Sequence, residues 1–366
     1  MSKSITVNYE NRPGYTIQIE TDYSKLVPSI FNAGIKKTSK LCVITDSNVR
    51  LLHADLLLQV LSQEFEQVSI FEISAGEVNK TLDTVQNIYE FLILHNFDRS
   101  DCLLAFGGGV VGDLTGYAAA TYLRGISFIQ IPTTLLAQVD SSIGGKTGVD
   151  FLSYKNMVGA FHMPAAVYMN LTLLNTLPEI QFISGMGEII KHGLIRDVVY
   201  YNWLASHMTD IIKKDQMVLE EMIFQSCNIK KEVVELDPTE KGERVLLNFG
   251  HTIGHAVEKL SEFSLPHGQC VALGMRSALY LSNKYGTFSD QDLNKALELL
   301  DHFKFPSSVA NLSAEDILFA TKSDKKMKQG KIKFILLEAP GKAYMDSDLS
   351  DLQLLESINY IIEDIS

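Results

Sequence analysis

Short apolar segments alternate with helix-like segments through the first half of the chain, and this alternation constrains the fold most. The apolar segments are KLCVIT (40–45), VSIFEI (68–73), DCLLAF (101–106) and ISFIQIP (126–132). Two stretches between them, TLDTVQNIYEFLILHNF and LTGYAAATYL, have helical periodicity. Strands that are apolar throughout are buried on both faces, which is typical of a parallel sheet covered by helices on each side. We therefore expect an α/β domain.

The pattern changes at about Leu177, and this change predicts two domains. Helical patterns dominate the rest of the chain, apart from a hairpin-like segment at 331–345. We predict an α/β domain over 1–177 and a mostly α-helical domain over 178–366, with a cleft between them as the expected site. At the other end of the chain, ITVNYENRPGYTIQIE alternates around a Pro-Gly break, which predicts an antiparallel hairpin.

Charge, cysteine usage and the first residues exclude several classes of protein. The formal net charge is −12, which argues against nucleic-acid or anionic-membrane binding. The four cysteines form no C-x-x-C pair, so a zinc ribbon or redox motif is excluded and reduced core residues are expected. The chain starts without a signal-peptide pattern and has no apolar run long enough to span a membrane. We expect a cytoplasmic protein.

A glycine-rich turn follows the third apolar segment and predicts nucleotide binding. In FGGGVVGD, Gly107, Gly109 and Gly112 match G-x-G-x-x-G between a strand and a helix, where backbone can approach a pyrophosphate. The motif lies deep in the chain, and no acidic residue follows about 20 positions later to bind a ribose. Asp46, at the end of KLCVIT, is a candidate for that role. The alternative is a turn that only packs against the sheet.

A second glycine-rich stretch, SSIGGKTG (141–148), resembles the end of a P-loop. The first glycine of that motif is replaced by Asp140, so a Walker A loop is not predicted. Lys146 in this loop is a candidate phosphate contact, and a solvated lysine is the alternative. Other basic residues near the motifs are Lys155, Lys191, Lys230, Arg244 and the DKK at 324–326. They favour an anionic substrate over an ordinary solvated face.

Three histidines and a glutamate predict a metal site without fixing its ligands. His251 and His255, in NFGHTIGHAVE, would project from one face of a helix, and His267 follows in LPHGQ. The pair lacks the glutamate of H-E-x-x-H, so a zincin mechanism is not supported. Two histidines with Glu188 of GMGEIIKHG would make a catalytic zinc site with an open position. Spacing does not decide which histidine is left out, and a capped helix start at 248–250 explains part of the pattern.

Seven segments together resemble the 3-dehydroquinate synthase family of sugar phosphate cyclases. They occur in the family's order and with similar spacing over about residues 40 to 345: GGGVVGDLTGYAAATYLRG, IPTTLLAQVDSSIGGKTGVD, YKNMVGAFHMP, GMGEIIKHG, ERVLLNFGHTIGHAVE, HGQCVALGM and DKK. The resemblance implies a Rossmann-like NAD-binding α/β domain followed by a helical metal- and substrate-binding domain, usually as a homodimer. The implied enzyme is a lyase of the shikimate pathway of aromatic amino acid biosynthesis. It converts 3-deoxy-D-arabino-heptulosonate 7-phosphate to 3-dehydroquinate and phosphate, with catalytic NAD and zinc or cobalt.

The resemblance also implies roles for individual positions. The metal ligands would be Glu188, His251 and His267, and His255 would contact the substrate phosphate. Positions matching NAD contacts are Asp46, Asn48, Glu77, Lys80, Gly108, Gly109, Val110, Val111, Gly112, Asp113, Thr133, Thr134, Lys146, Lys155, Leu173, Leu174, Asn175 and Thr176. Positions matching catalytic residues are Asp140, Lys146, Lys191, Lys230, Arg244, Asn248 and His255. Positions matching substrate contacts are Arg124, Lys155, Asn156 and Lys325, with Arg124 reaching a neighbouring subunit.

Three other functions compete with this interpretation. Cyclases that make an inosose or valiolone act on substrates without a carboxylate, so Lys230 and Arg244, whose planar guanidinium suits a carboxylate, favour the dehydroquinate reaction. A metal-dependent NAD alcohol dehydrogenase would release NADH, and a non-catalytic regulator would not need the metal, acid and base positions together. One departure from the family lies in TLPEIQF, where Ile180 and Gln181 replace more usual residues.

Overall fold

The computed structural model describes residues 2–9, 12–152, 154–240, 242–262, 264–325 and 333–363. The chain divides into two compact units. The first unit is Met1–Leu177 with Lys230–Thr239, and the second is Pro178–Ile229 with Glu240–Ser366. The sequence prediction placed 230–239 in the second domain. One uninterrupted helix, Gln216–Leu236, runs through this point, so no sequence break marks the change.

A sheet of seven strands organises the first unit. Its members are β1 (Lys3–Tyr9), β2 (Arg12–Glu20), β3 (Leu41–Asp46), β4 (Val68–Ile73), β5 (Cys102–Gly107), β6 (Ser127–Pro132) and β9 (Ala166–Asn170). Their order is β1-β2-β9-β6-β5-β3-β4, and every pair is parallel except β1 with β2. The strands β7 (Lys146–Phe151) and β8 (Tyr154–Phe161), which were not predicted, form a separate antiparallel hairpin.

The N-terminal hairpin exists, but its Pro-Gly pair is not the turn. Pro13 and Gly14 lie inside β2, next to a register shift between Val7 and Asn8. A proline is tolerated at such a bulge because no ladder hydrogen bond is needed from its nitrogen. The sequence prediction therefore placed the turn of this hairpin a few residues too late.

Helices cover both faces of the parallel sheet, as the apolar strands predicted. The helices of the first unit are α1 (Leu26–Asn32), α2 (Ser47–Ser62), α3 (Leu82–Leu94) and α4 (Gly109–Thr121). In β3, Leu41 and Val43 pack in one apolar cluster with α1 and α2, and Cys42 and Ile44 pack in the other with α3 and α4. Successive side chains of a strand point to opposite faces, so β3 is buried on both sides.

The strand order reverses beside β3, because β4 lies on one side of it and β5 on the other. Open α/β sheets bind ligands at the carboxyl ends of the strands at such a point. Asp46 ends β3, and Gly107 ends the neighbouring β5. The topology therefore brings the two sequence candidates for nucleotide binding to one edge of the sheet.

Helices dominate the second unit, as predicted. They are α5 (Glu179–Arg196), α6 (Val198–Ser206), α7 (Met208–Ile212), the first part of α8 (Gln216–Leu236), α9 (His251–Leu260), α10 (His267–Tyr285), α11 (Asp290–His302), α12 (Ala314–Lys325) and α13 (Asp351–Asn359). The predicted hairpin is present as β10 (Phe334–Ala339) and β11 (Lys342–Asp346), and residues 331 and 332 of that prediction lie outside the described residues.

Glycines let α5, α9 and α10 approach one another closely. A Cβ atom on Gly268 would lie 2.0 Å from the carbonyl oxygen of Ser184, and one on Gly274 would lie 1.8 Å from that of Gly250. A Cβ atom on Gly254 would likewise lie 2.7 Å from the carbonyl oxygen of Cys270. Real Cβ atoms do not make such contacts, so the spacing of these three helices requires glycine.

All four cysteines are free and buried. Burial raises the pKa of the Cys42 thiol to about 12 and also raises that of Cys102. These thiols are therefore unreactive core residues. Within the described ranges, no helix has both the length and the apolar character needed to cross a bilayer.

Candidate functional site

The glycine turn of the first unit has the features of a phosphate site. Gly108 precedes α4 and provides no side-chain cap, so the first N–H groups of the helix, at Gly109, Val110 and Val111, have no side-chain acceptor from the cap. The N-terminus of a helix favours an anion. Beside the turn, the buried hydroxyl of Thr133 lacks a hydrogen bond within the described part of the chain. The glycine turn, the N-terminus of α4 and the hydroxyl of Thr133 together fit the pyrophosphate of a nucleotide.

Asp46, the candidate ribose carboxylate, also caps α2. Its Oδ1 accepts hydrogen bonds from the backbone N–H groups of Asn48 at 2.9 Å and Val49 at 3.1 Å. The cap fixes the carboxylate at the end of β3. Thr134, after β6, similarly accepts from the N–H of Ala137 at 3.1 Å.

A buried lysine gathers several predicted positions of the first unit. Lys80 Nζ donates to Asp113 Oδ2 at 2.6 Å and also to the side-chain oxygen of Asn156. Lys155 Nζ lies 3.5 Å from Glu77 Oε1. Burial disfavours the ammonium, but Asp113 and Glu77 outweigh it and raise the pKa of Lys80. Lys80 is therefore charged at neutral pH.

A further residue of this cluster, Asp150, was missed by the sequence reasoning. Its Oδ1 accepts from the backbone N–H of Asn156 at 2.7 Å, which holds Asn156 in a left-handed conformation with φ of 53°. Burial raises the pKa of Asp150. Asp150 lies in GKTGVD, one of the family-like segments, and that is the only signal that could have identified it.

A cavity of about 310 Å³ lies beside the 3₁₀ turn that follows β9. The turn contains the predicted NAD positions Leu173, Leu174 and Asn175, and Thr176 follows it. His53 Nε2 lies 2.7 Å from Thr176 Oγ1, a contact that the sequence reasoning did not foresee. Of these residues, Leu173 and His53 line the cavity, together with Tyr23, Leu51, Leu52, Asp55, Leu56, Asn170 and Thr172.

Four other predicted residues of the first unit have defined positions. Lys230 Nζ donates to the backbone oxygen of Asp140 at 2.7 Å and also to its carboxylate. Asp140 lies in a π-helical turn over Ala137–Ser141. Arg124 follows α4 with φ of 67°, directly after Leu123 with φ of 50°. Lys146 is exposed at the start of β7.

Glu188, His251 and His267 come together in the second unit, one each from α5, α9 and α10. The Nε2 atoms of His251 and His267 lie 3.4 Å and 3.6 Å from Glu188 Oε1. Two ligands held about 2.0–2.1 Å from a tetrahedral zinc ion are about 3.3 Å apart. Glu188 Oε1 is buried and has no hydrogen bond among the described residues. The donor set and its spacing fit a zinc ion.

Charge around the cluster keeps Glu188 ionised and His251 neutral. Burial alone would raise the pKa of Glu188, but the Lys191 ammonium, which donates to its Oε2, and His267 hold that pKa well below its usual value. Burial and the Lys191 charge lower the pKa of His251. An ionised carboxylate and a neutral imidazole are the forms that bind a metal.

His251 is also oriented by its other ring nitrogen. Its Nδ1 lies 3.2 Å from the carbonyl oxygen of Phe249, so Nδ1–H donates there and Nε2 carries the lone pair. His255 lies one turn further on α9, with its ring 5.1 Å from that of His251, and is exposed. His255, Glu258 and His267 form a second, overlapping group of possible ligands. The geometry alone does not select one group.

The remaining predicted residues of the second unit are Arg244, Asn248 and Lys325. Arg244 is 2% exposed, in the 3₁₀ stretch Glu243–Asn248. The sequence predicted a capped start of α9 at 248–250, and the cap is Gly250, with φ of 78°. Asn248 Nδ2 instead donates to Glu240 Oε1 at 3.1 Å. Lys325 ends α12, its side chain is not among those described, and Lys326 lies outside the described residues.

Solved structures with this fold define a class. The 2-deoxy-scyllo-inosose synthase complexed with carbaglucose-6-phosphate, NAD⁺ and Co²⁺ is 25% identical, with a TM-score of 0.88 over 97% of this chain and 99% of that one. The 2-epi-5-epi-valiolone synthase ValA of Streptomyces hygroscopicus subsp. jinggangensis 5008, with NAD⁺ and Zn²⁺ bound, is 24% identical, with a TM-score of 0.87 over 97% and 98%. The fold is that of the sugar phosphate cyclases.

Sequence comparison is more specific. Family models described as the 3-dehydroquinate synthase N-terminal and C-terminal parts match residues 70–184 and 185–327. The 3-dehydroquinate synthase of Acetivibrio thermocellus is 45% identical over 332 residues, which cover 91% of each chain. The chain belongs to the 3-dehydroquinate synthase family, which confirms the resemblance inferred from the sequence.

Proposed function

We propose that the chain converts 3-deoxy-D-arabino-heptulosonate 7-phosphate to 3-dehydroquinate and phosphate, with catalytic NAD and a divalent ion. The observation that carries the proposal is the Glu188, His251 and His267 cluster, found in a chain of this family. When bound, the ion supplies Lewis acidity at a substrate hydroxyl, and NAD supplies a reversible hydride acceptor.

In this proposal the side chains of the second unit bind the ion and the substrate and neutralise the substrate's charges. Glu188 and the two histidines hold the ion, and His255, one turn along α9, contacts the substrate phosphate. Buried Arg244 binds the substrate carboxylate, for which a planar guanidinium gives two parallel hydrogen bonds. That contact favours this reaction over those of cyclases whose substrates have no carboxylate.

The first unit is proposed to bind NAD at the carboxyl edge of its sheet. Gly108 and Gly109 admit the pyrophosphate to the N-terminus of α4, and Asp46 binds a ribose. Cobalt-bound and NAD-bound 2-deoxy-scyllo-inosose synthase supports the same pair of cofactors here.

A direct assay tests the proposed reaction. Purified protein is mixed with the heptulosonate phosphate, NAD and zinc, and phosphate and NADH are followed together. We expect phosphate release with no net NADH, because the hydride is returned before the product leaves. Net NADH would identify a dehydrogenase, and no turnover would point to another cyclase. Glu188→Gln is the control that should abolish turnover.

We also infer a homodimer in the cytoplasm. The β7–β8 hairpin exposes five large apolar side chains, Phe151, Leu152, Tyr154, Met157 and Phe161. Patches of this kind mark protein–protein contacts. Its end is fixed to the segment that follows Arg124, since His162 Nε2 lies 3.0 Å from the carbonyl oxygen of Ile126. Light scattering should give twice the chain mass, and Leu152→Lys with Phe161→Glu should give monomers.

A further inference from the structure

His267 has a carboxylate behind it that neither the metal cluster nor the proposed reaction uses. Its Nε2 faces Glu188 Oε1, and its Nδ1 lies 3.5 Å from Glu258 Oε1, at the outer limit of a hydrogen bond. Glu258 is on α9, seven residues after His251, and is 3% exposed. A buried carboxylate needs donor partners, because burying a charge without them is costly, and His267 Nδ1 is in position to be one.

The two histidines of the cluster are held in parallel ways. Both present Nε2 to Glu188 and Nδ1 to an oxygen acceptor. For His251 that acceptor is the neutral backbone oxygen of Phe249, and for His267 it is the carboxylate of Glu258. Histidine ligands usually donate the second ring N–H to such an oxygen, which fixes the tautomer and makes the ligand nitrogen more basic.

Helix packing leaves Glu258 little freedom to take another position. Gly254, one turn before it on α9, contacts the backbone of α10 at Cys270, and the neighbouring Val257 is buried. His267 is the first residue of α10, where Gly268 contacts Ser184 of α5. The carboxylate and the imidazole are therefore both carried on backbone that is fixed by close contacts.

We propose that Glu258 is a positioning residue for the metal site: it orients His267 through Nδ1 and strengthens Nε2 as a ligand. This proposal rests on the metal site proposed above. Its rival is a second ion held by His255, Glu258 and His267, since these three residues could also hold one. The two interpretations differ in the number of ions bound and in what the loss of Glu258 removes.

The experiment uses the full chain, stripped of metal and titrated with Zn²⁺ against a chromophoric chelator and with Co²⁺ by visible spectroscopy. For Glu258→Gln, which keeps the size and removes the charge, we expect one equivalent bound with affinity reduced about 10–100-fold. The Co²⁺ bands should shift in energy or intensity. Glu258→Asp, which keeps the charge, should recover part of the affinity. Glu298→Gln, an exposed change on α11, should bind as wild type does.

Two results would overturn the proposal. One is wild-type affinity and an unchanged Co²⁺ spectrum in Glu258→Gln. The other is two equivalents bound by the wild type and loss of only one in the variant, which would make Glu258 a ligand of a second ion. If Glu258→Gln does not fold, Glu258→Asp is the test of the proposal. Wild-type metal affinity and an unchanged Co²⁺ spectrum in Glu258→Asp would exclude a geometric role for Glu258. Glu188→Gln tests the metal site itself and so separates the two questions. If this variant binds zinc as the wild type does, the proposed metal site is refuted, whatever the result for Glu258.

Discussion

The two units position their functional groups in different ways. In the first unit, Asp46, Gly108 and Thr133 lie at the carboxyl ends of three adjacent parallel strands, so the hydrogen bonds of the sheet bring them to one edge. In the second unit, the metal cluster is assembled from three helices that no sheet aligns. A sheet edge tolerates changes of side chain, whereas the helix cluster depends on contacts between backbones.

The glycines show this difference directly. In the second unit, a Cβ on Gly274 would meet a backbone oxygen at 1.8 Å. In the first unit, a Cβ on Gly108 or Gly109 would meet side-chain atoms of Thr134 and Ser141 at 3.1 Å and 3.2 Å. A side chain can rotate away but a packed backbone cannot. The same substitution should therefore disturb the helix contact at Gly274 and the glycine turn very differently.

The largest expected effect is on the metal cluster. His267→Ala removes one of three ligands and should reduce zinc affinity by more than about 100-fold, since even residues outside the ligand set are worth 10–100-fold. His255→Ala, its matched histidine control, should stay close to wild type. Zinc retained after gel filtration and chelator competition measures both. Equal losses in the two variants would contradict the assignment of His255 to another role.

A backbone clash should give the next largest effect. Gly274→Ala forces α9 and α10 apart, and we expect the free energy of unfolding to fall by about 3 kcal/mol. Zinc affinity should fall with it, because the two helices carry His251 and His267. Urea unfolding and zinc titration are the measurements. Wild-type stability in this variant would show that the helices are not held by this contact.

The buried ion pair of the first unit should matter less. Lys80→Met leaves Asp113 without its cation and should lower the free energy of unfolding by about 2 kcal/mol, less than for a fully buried pair. Burial raises the pKa of Asp113. The stability lost in Lys80→Met should therefore become smaller as the pH falls through that pKa, because the Asp113 carboxyl becomes neutral. Unfolding at several pH values checks this.

The exposed pair of Lys37 and Glu64 provides the control for that measurement. Lys37→Met should change the free energy of unfolding by less than about 0.5 kcal/mol at every pH. A deficit in Lys80→Met that does not depend on pH would mean that lost packing, rather than the unmatched charge of Asp113, causes it.

The smallest effect on stability is expected at the glycine turn. Gly109→Ala should change the free energy of unfolding by less than about 1 kcal/mol, since the nearest atoms belong to a serine side chain. NAD affinity should nevertheless fall about tenfold, equivalent to about 1.4 kcal/mol, because the methyl group lies where the pyrophosphate is proposed to approach. Calorimetric titration with NAD measures it. A stability loss as large as that of Gly274→Ala would remove the contrast between the units.

The sequence predicted the sheet of the first unit well, because buried parallel strands have a distinctive pattern. It located Asp46 and the glycine turn, since each directly follows such a strand. It did not predict β7, β8 or β9, and it misplaced the turn near Pro13. The β7–β8 hairpin is half exposed and rich in glycine, so its pattern is weak.

For the metal cluster, spacing identified candidates but could not choose among them. His251, His255 and Glu258 follow a helical spacing on α9, and position along one helix does not reveal what the next helix brings to it. The ligand set implied by family resemblance agrees with one of the candidate groups found among the described residues. His53 was missed because its contact, Thr176, lies in a distant segment of the chain. Glu258 was missed because spacing along α9 does not show that α10 places His267 beside it.

The burial of every native thiol has a practical consequence. A maleimide dye added to the folded chain finds no accessible native cysteine, so a cysteine introduced at an exposed position becomes the sole point of attachment. Glu90→Cys in the first unit and Lys295→Cys in the second are such positions. A donor and an acceptor placed there would report, one molecule at a time, how the distance between the units responds to nucleotide and to zinc.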